Sequence, residues 1–390
     1  MTDVRYTDAP RNDDWRLHGE LIGRQGGRRD LNTPVLVLDL DALDRNIASM
    51  AGLAAKAGVR LRPHAKTHKS LDIARRQIEA GAVGVCCAKL GEAEALAGAG
   101  VPGVHITSPV VGRLGIERLI ALNGIAERLS VVADHPDNVE ALAGAASPDR
   151  PLGVFVDLDP GLRRTGVASP EAAVELASRI QDHPSLRYEG LQMYCGREQH
   201  IEDYAERRAA IAERTEYLKG VLAALAEAGA APPVVTGGGT GTHRIDLELG
   251  VFNELQVGSY VFMDDQYAAC DLTGDGEAAY EFSLFVDTRV VSANAKSLVT
   301  LDGGFKAFAT EGKPPTPAAG APAESRFLFM GDEHGALVGA GVEEALSIGD
   351  VVTLNTPHCD PTVNLYDSYH VVRGDTLVDI WPVSARGRSR

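Results

Sequence analysis

The sequence predicts an α/β chain, a (β/α)8 barrel of the TIM type joined to a second, mainly β domain. Three observations predict it. From Val59 to Gly258, short apolar runs alternate with amphipathic ones in β-α order about eight times. A basic, lysine-bearing segment follows the first apolar run and a glycine run follows the seventh, the kind of place where barrel enzymes carry chemistry and phosphate. Beyond Asp264 the alternation stops, and strand-like runs succeed one another without long helices between them.

In chain order, residues 34–40 form an extra strand ahead of the barrel, followed by a helix that Asp41 is placed to cap. The barrel strands begin near Val59, Val83, Val104, Leu129, Leu152, Tyr188, Pro233 and Glu254. Helical periodicity fills residues 70–80, 136–145, 170–181 and the long stretch 201–228. The later strands are expected at 282–291, 297–301, 327–330, 351–354 and 369–372. Residues 313–325, rich in proline and alanine, read as an exposed loop or disordered insertion. The domains drawn from this pattern are a cofactor-binding barrel over 32–264 and a mainly β domain made of 1–31 and 265–390.

Composition narrows the function classes. The 390 residues, 44% hydrophobic and 24% charged, suffice for roughly two domains or one barrel with an appendage. A net charge of -16 opposes binding to nucleic acid or to an anionic membrane, while leaving room for a local basic pocket. Five cysteines with no CxxC pair fit free thiols in a reducing compartment, with the adjacent Cys86 and Cys87 as core residues. Residues 1–30 are polar and hold no apolar signal core, and no run approaches about 18 apolar residues, so the expected location is cytoplasmic.

The chemistry centres on Arg62-Pro63-His64-Ala65-Lys66-Thr67-His68-Lys69. A lysine attacks a carbonyl only as the free amine, and the neighbouring Arg62 and Lys69 are expected to lower the pKa of Lys66 by penalising its protonated form. Alone, such a cluster is usually a solvated face, and Lys69 competes as the reactive amine. Downstream, Thr236-Gly237-Gly238-Gly239-Thr240-Gly241-Thr242 follows the apolar Val234-Val235 and offers unencumbered backbone N–H groups to a phosphate, although glycines by themselves more often mark a turn. Lysine and phosphate cradle together suggest pyridoxal phosphate. At the eighth strand, Gln256-Val257-Gly258-Ser259-Tyr260 supplies a second phosphate loop. Finally, His358 and Asp360 flank Cys359. On an extended segment they point the same way, toward a divalent ion, with the thiol turned aside, although an isolated pair of this kind is usually structural.

This ordered set resembles the fold-type III pyridoxal-phosphate enzymes, and within them the D-threonine aldolase and D-serine dehydratase group, over nearly the whole chain. The matching segments include Thr33-Pro34-Val35-Leu36-Val37-Leu38-Asp39, the lysine segment, Gly84-Val85-Cys86-Cys87, both phosphate loops, Asp332-Glu333-His334-Gly335 and His358-Cys359-Asp360-Pro361-Thr362. The resemblance implies that Lys66 carries the cofactor as a Schiff base and that Gly239, Thr240, Gly241, Gly258, Ser259 and Tyr260 form the phosphate site. It further implies that Arg164 and Tyr194 contact the cofactor ring, although Arg163 and Arg164 read equally well as a surface pair or as salt-bridge partners of Asp157 and Asp159. His-x-Asp is the aldolase form of the metal motif, so the resemblance implies Mn2+, Mg2+ or Zn2+ at His358 and Asp360, with His200, His334 or a metal-bound water as the base. Ala88, Ser108-Pro109 and Cys195 depart from what aldolase members commonly carry, which opens the question of substrate.

The implied reaction is retro-aldol cleavage of a D-β-hydroxy-α-amino acid to glycine and an aldehyde. The alternatives are dehydration of D-serine or D-3-hydroxyaspartate, 3-hydroxy-D-aspartate cleavage, racemisation and a non-catalytic pyridoxal-phosphate carrier. The implied partners are a small amino-acid substrate and a second copy of the chain, as a homodimer.

Overall fold

Four of the five residues of Val35–Asp39 (β1) are buried, as in a strand covered on both faces. In the computed structural model, which describes residues 13–390, β1 lies inside the second sheet and outside the parallel sheet. Asp39, not the expected Asp41, caps the following helix Leu40–Ala57, accepting the amides of Asp41 and Ala42 at 3.0 Å. The helix starts two residues early, with Leu40 buried in the core.

Eight parallel strands follow: β2 (Arg60–Leu61), β3 (Cys86–Cys87), β4 (His105–Ile106), β5 (Ser130–Ala133), β6 (Leu152–Leu158), β7 (Leu186–Met193), β8 (Val234–Gly237) and β9 (Glu254–Leu255). Their order is β2-β9-β8-β7-β6-β5-β4-β3. The two end strands meet through an isolated parallel bridge, His64 to Cys86, and two backbone bonds of 2.8 Å, from the Cys86 amide to the Pro63 carbonyl and from the Ala65 amide to the Cys86 carbonyl. Helices Leu71–Glu79, Leu90–Gly98, Arg113–Ile125, Pro136–Ala145, Pro170–Asp182, Tyr204–Glu227 and His243–Leu249 link them. Ser70, Ser169 and Asp203 cap three of these helices with side-chain oxygens, and buried Ile73, Leu119, Leu176 and Leu218 turn their apolar stripes onto the sheet.

The second sheet takes in β10 (Leu284–Ala295), β11 (Leu298–Leu301), β12 (Pro317–Ala319), β13 (Arg326–Phe329), β14 (Gly335–Val338), β15 (Val351–Asn355), β16 (Ser368–Arg373) and β17 (Thr376–Pro382). The path is β13-β14-β11-β10-β1-β16-β17, with β15 joining β10 to β12. Residues 313–325, expected to be loop, therefore contribute β12. Its backbone pairs with β15 although its proline-rich sequence lacks strand character, an edge position where proline is tolerated. This domain is fastened to the lysine segment: the Tyr369 hydroxyl donates to the His68 carbonyl at 2.5 Å, and the Ala385 amide to the Lys69 carbonyl at 2.9 Å.

Candidate active site

The lysine segment connects β2 to helix Leu71–Glu79, and its charges go to separate partners. Arg62 binds Glu254 through two bonds of 2.9 and 3.0 Å, and Lys69 pairs with the buried Glu92. Lys66 alone faces the β domain, its Nζ 2.5 Å from Asp360 Oδ2. The expected lowering of the Lys66 pKa is overturned. Burial does push it down, but Asp360 outweighs burial and raises it above the usual lysine value, while Arg62 and Lys69 are each neutralised by a carboxylate.

The two phosphate loops come together through the Tyr260 amide, which donates to Thr240 Oγ1 at 3.0 Å. The cradle is built for glycine. A Cβ on Gly239 would meet Gln199 Oε1 at 2.4 Å, one on Gly241 the Gln199 carbonyl at 2.0 Å, and one on Gly258 Thr67 Oγ1 at 2.8 Å. The amides of Thr240, Gly258 and Ser259 have no acceptor among the hydrogen bonds of the described residues, and Thr240 and Ser259 are buried. Buried N–H groups left open in this way fit a phosphate. Tyr260, by contrast, is a core side chain whose hydroxyl accepts from Gln77 at 3.1 Å.

His358-Cys359-Asp360 departs from its expected geometry. Only His358 is extended, and Cys359–Val363 turns into a short helix, so strand alternation does not orient these side chains. The Cys359 amide donates to Asp264 Oδ2 at 2.9 Å, and its thiol sits 3.4 Å from Asp360 Oδ1. Thus the thiol does not face away from Asp360. Burial alone would raise the Asp360 carboxyl, but the Lys66 ammonium and His358 hold it well below the usual carboxylate range. His358 Nδ1 lies 2.7 Å from Glu311 Oε1. An anionic carboxylate beside an imidazole suits a hard divalent cation, so these residues fit the implied metal.

A cavity of about 560 Å³ opens over the strand ends, and Lys66, Arg164, Tyr194, Gln192, Gln256 and Lys89 are among its lining residues. The Arg164 guanidinium rests over the Tyr194 ring at 5.4 Å from its centroid, a cation–π contact. Asp157 instead bonds Thr165 at 2.7 Å and Gln192 at 2.9 Å. His200 ends the turn Glu198–His200, its ring 4.7 Å from that of Tyr267. Partial burial lowers its pKa and Asp264 raises it, but His200 is not among the residues lining the Lys66 cavity; it is exposed and lines a separate cavity of about 210 Å³ with Asp265, Gln266 and Pro357. His334 is not brought there. It lies exposed in the turn between β13 and β14, its carbonyl accepting the Met330 amide at 2.9 Å.

Sequence reading missed Asp264, Glu311, Gln192 and Lys89. None sits in a distinctive motif, and only the fold brings them to the site. It also missed a candidate divalent-metal cluster of Asp14, His18 and His370, whose ligand atoms lie within 4.8 Å of one another. His18 Nδ1 is 2.8 Å from His370 Nε2, and the Asn32 amide donates to His18 Nε2 at 3.0 Å, so ligation through Nδ1 would require that bond to give way. His370 faces away from the barrel, since the neighbouring Tyr369 points toward it.

The chain matches the description "Alanine racemase, N-terminal domain" over residues 38–266 and "Putative serine dehydratase domain" over 283–372. It is 37% identical over 364 residues to the 3-hydroxy-D-aspartate aldolase of Paracoccus denitrificans (strain Pd 1222), spanning 92% of this chain and 93% of that one. It is 38% identical over 361 residues to the D-threonine aldolase of an Arthrobacter species, with 92% and 94% covered. The crystal structure of D-threonine aldolase from Filomicrobium marinum superposes with a TM-score of 0.88 at 38% identity, covering 93% of this chain and 97% of that one.

Proposed function

As the chain belongs to the fold-type III pyridoxal-phosphate enzymes of the D-threonine aldolase and D-serine dehydratase group, we propose that it cleaves a D-β-hydroxy-α-amino acid to glycine and an aldehyde. The observation that carries this reading is the contact of Lys66 with Asp360, which sets the barrel's lysine against the β domain's carboxylate. Pyridoxal phosphate attached at Lys66 would supply an electron sink for the pair left at Cα when the Cα–Cβ bond breaks. A divalent cation held by His358 and Asp360 would supply a lowered pKa at the substrate's β-hydroxyl. Thr240, Gly258 and Ser259 hold the phosphate through their open amides, and Arg164, braced on Tyr194, fixes the ring. His200 is favoured over His334 as acceptor of the hydroxyl proton because it shares a cavity wall with Pro357, the neighbour of His358, whereas His334 lies in the turn between β13 and β14. Turnover of D-threonine and D-3-hydroxyaspartate tests the reading. Glycine with an aldehyde supports it, whereas ammonia with a keto acid replaces it by dehydration.

The same reading extends to architecture. The sheet is taken as a closed barrel over 32–264, supported by the His64–Cys86 bridge, with β1 lent to the β domain formed by 265–390 and the described part of 1–31; residues 1–12 lie outside the described residues. A homodimer is proposed on the exposed Phe305, Leu328 and Met330 near the His334 turn, an apolar surface suited to a second copy. A fully active monomer in sedimentation would refute it. A reducing, cytoplasmic setting is supported by five free, buried cysteines. Among the described residues no helix is long and apolar enough to cross a membrane.

A further inference from the structure

Three cations line the cavity over the strand ends: Lys66, Lys89 and Arg164. Lys66 is engaged by Asp360, and Arg164 rests on Tyr194. Lys89 has no carboxylate partner among the ion pairs of the described residues. The carboxylate closest to it in sequence, Glu92, is fully occupied: Oε1 pairs with the Lys69 ammonium, and Oε2 accepts the amides of Ala88 at 2.8 Å and Lys89 at 3.2 Å. The one carboxylate among the cavity's lining residues, Asp134, accepts the Gly166 amide at 3.0 Å. The other lining residues include Ala88, Ser108 and Pro109, small or neutral side chains, and Lys89 itself is exposed.

From this juxtaposition we propose that Lys89 is a specificity-determining residue that binds a carboxylate carried on the substrate's β-carbon, so that the preferred substrates are β-hydroxy amino diacids of the 3-hydroxy-D-aspartate type over alkyl ones of the D-threonine type. The inference rests on the lyase reading for its substrate frame, and on the charge pattern of this cavity for its choice within that frame. An anionic substituent gives the exposed Lys89 ammonium the electrostatic partner that it lacks among the described residues. The net charge of the chain, -16, makes a locally cationic cavity a selective feature against the background field.

The test uses the cofactor-loaded enzyme and two ligands without a β-hydroxyl, D-aspartate and D-2-aminobutyrate, which bind without undergoing cleavage. Binding is followed by the change in cofactor absorbance. Wild type is expected to bind D-aspartate about tenfold or more tightly than D-2-aminobutyrate, as a charge-assisted contact provides. In Lys89→Gln the ratio should collapse toward unity, and in Lys89→Arg it should be largely kept. No preference in wild type, or a ratio unchanged in Lys89→Gln with the cofactor absorbance intact, overturns the proposal. Cleavage assays on D-3-hydroxyaspartate and D-threonine separate the two readings. Glycine released from neither, with the D-aspartate preference intact, sinks the lyase assignment and supports the role of Lys89. Glycine released from D-threonine without any preference for D-aspartate sinks the role of Lys89 alone.

Discussion

The two ends of the parallel sheet carry similar residue types and use them differently. Where the strands begin, a cavity of about 360 Å³ is lined by Arg62, Arg128, Leu129 and Phe155, and the buried Arg62 is closed by two bonds to Glu254 and one to the Gly103 carbonyl. Where the strands finish, Lys66 meets a carboxylate from another domain, while among the described residues Lys89 has none and three loop amides stay open. The lysines make the point within one segment. Lys69 and Lys66 both pair with a carboxylate, but Glu92 belongs to the helix Leu90–Gly98 of the same parallel sheet and Asp360 to the β domain. Composition does not separate a structural cation from a reactive one. What separates them is whether the partner is built into the same element or arrives from outside, beside space for a ligand.

The largest effect that bears on this contrast is expected from Lys66→Ala, which should abolish both turnover and the adduct trapped by borohydride. Lys69→Ala should keep the adduct while losing stability, because it strands the buried Glu92; the reverse pattern would break the comparison. Next comes Asp360→Ala, expected to cost several kcal/mol of transition-state stabilisation, about what the cation supplies, while the yellow cofactor absorbance persists. EDTA should mimic it, and full activity after metal removal would refute the metal role. At the opposite end, Glu254→Gln should cost about 3 kcal/mol or more in urea unfolding by leaving Arg62 buried without its charge partner, with cofactor stoichiometry unchanged. Loss of cofactor in that variant would show that the two ends are not separable.

The smallest effect concerns Asp246, which burial, opposed only by its 2.6 Å bond from the Thr242 hydroxyl, pushes from 3.8 to about 7. The folded chain holds a proton there that the unfolded chain releases, so this contribution to stability is fully present below about pH 4 and is lost as pH rises through about 7. Asp246→Asn should therefore lose less stability than wild type between pH 5 and pH 8 in denaturant titrations.

Much of this organisation was legible in the sequence because it follows from period and punctuation. All eight parallel strands and the helices 136–145 and 204–227 stand where alternating apolar runs place them. The two glycine-bearing loops after β8 and β9 were legible as loops for the same reason, since glycine after an apolar strand has a local cause. Orientation was not. The bend at His358 is set by the Cys359 amide reaching Asp264, and the raised pKa of Lys66 is set by Asp360; both contacts join positions far apart in the chain. Short strands such as β14 and β17 escaped because Gly335 and the Asp379 and Pro382 positions weaken their alternation, while pairing with their neighbours fixes them.

The placement of β1 bears on the order in which the chain can fold as it is synthesised. Val37 pairs with Phe285 on one side and with His370 on the other, so the central strand of the second sheet is made before the parallel strands and waits for partners made after them. The parallel strands from Arg60 to Leu255, by contrast, are contiguous and contain their own helices. Closing the long loop between β1 and β16 is an entropic debt that is lighter once the intervening strands have collapsed. Until residues near Arg373 emerge, β1 presents an apolar strand with unpaired edges, and its exposure is the interval in which a nascent chain of this topology is most open to aggregation.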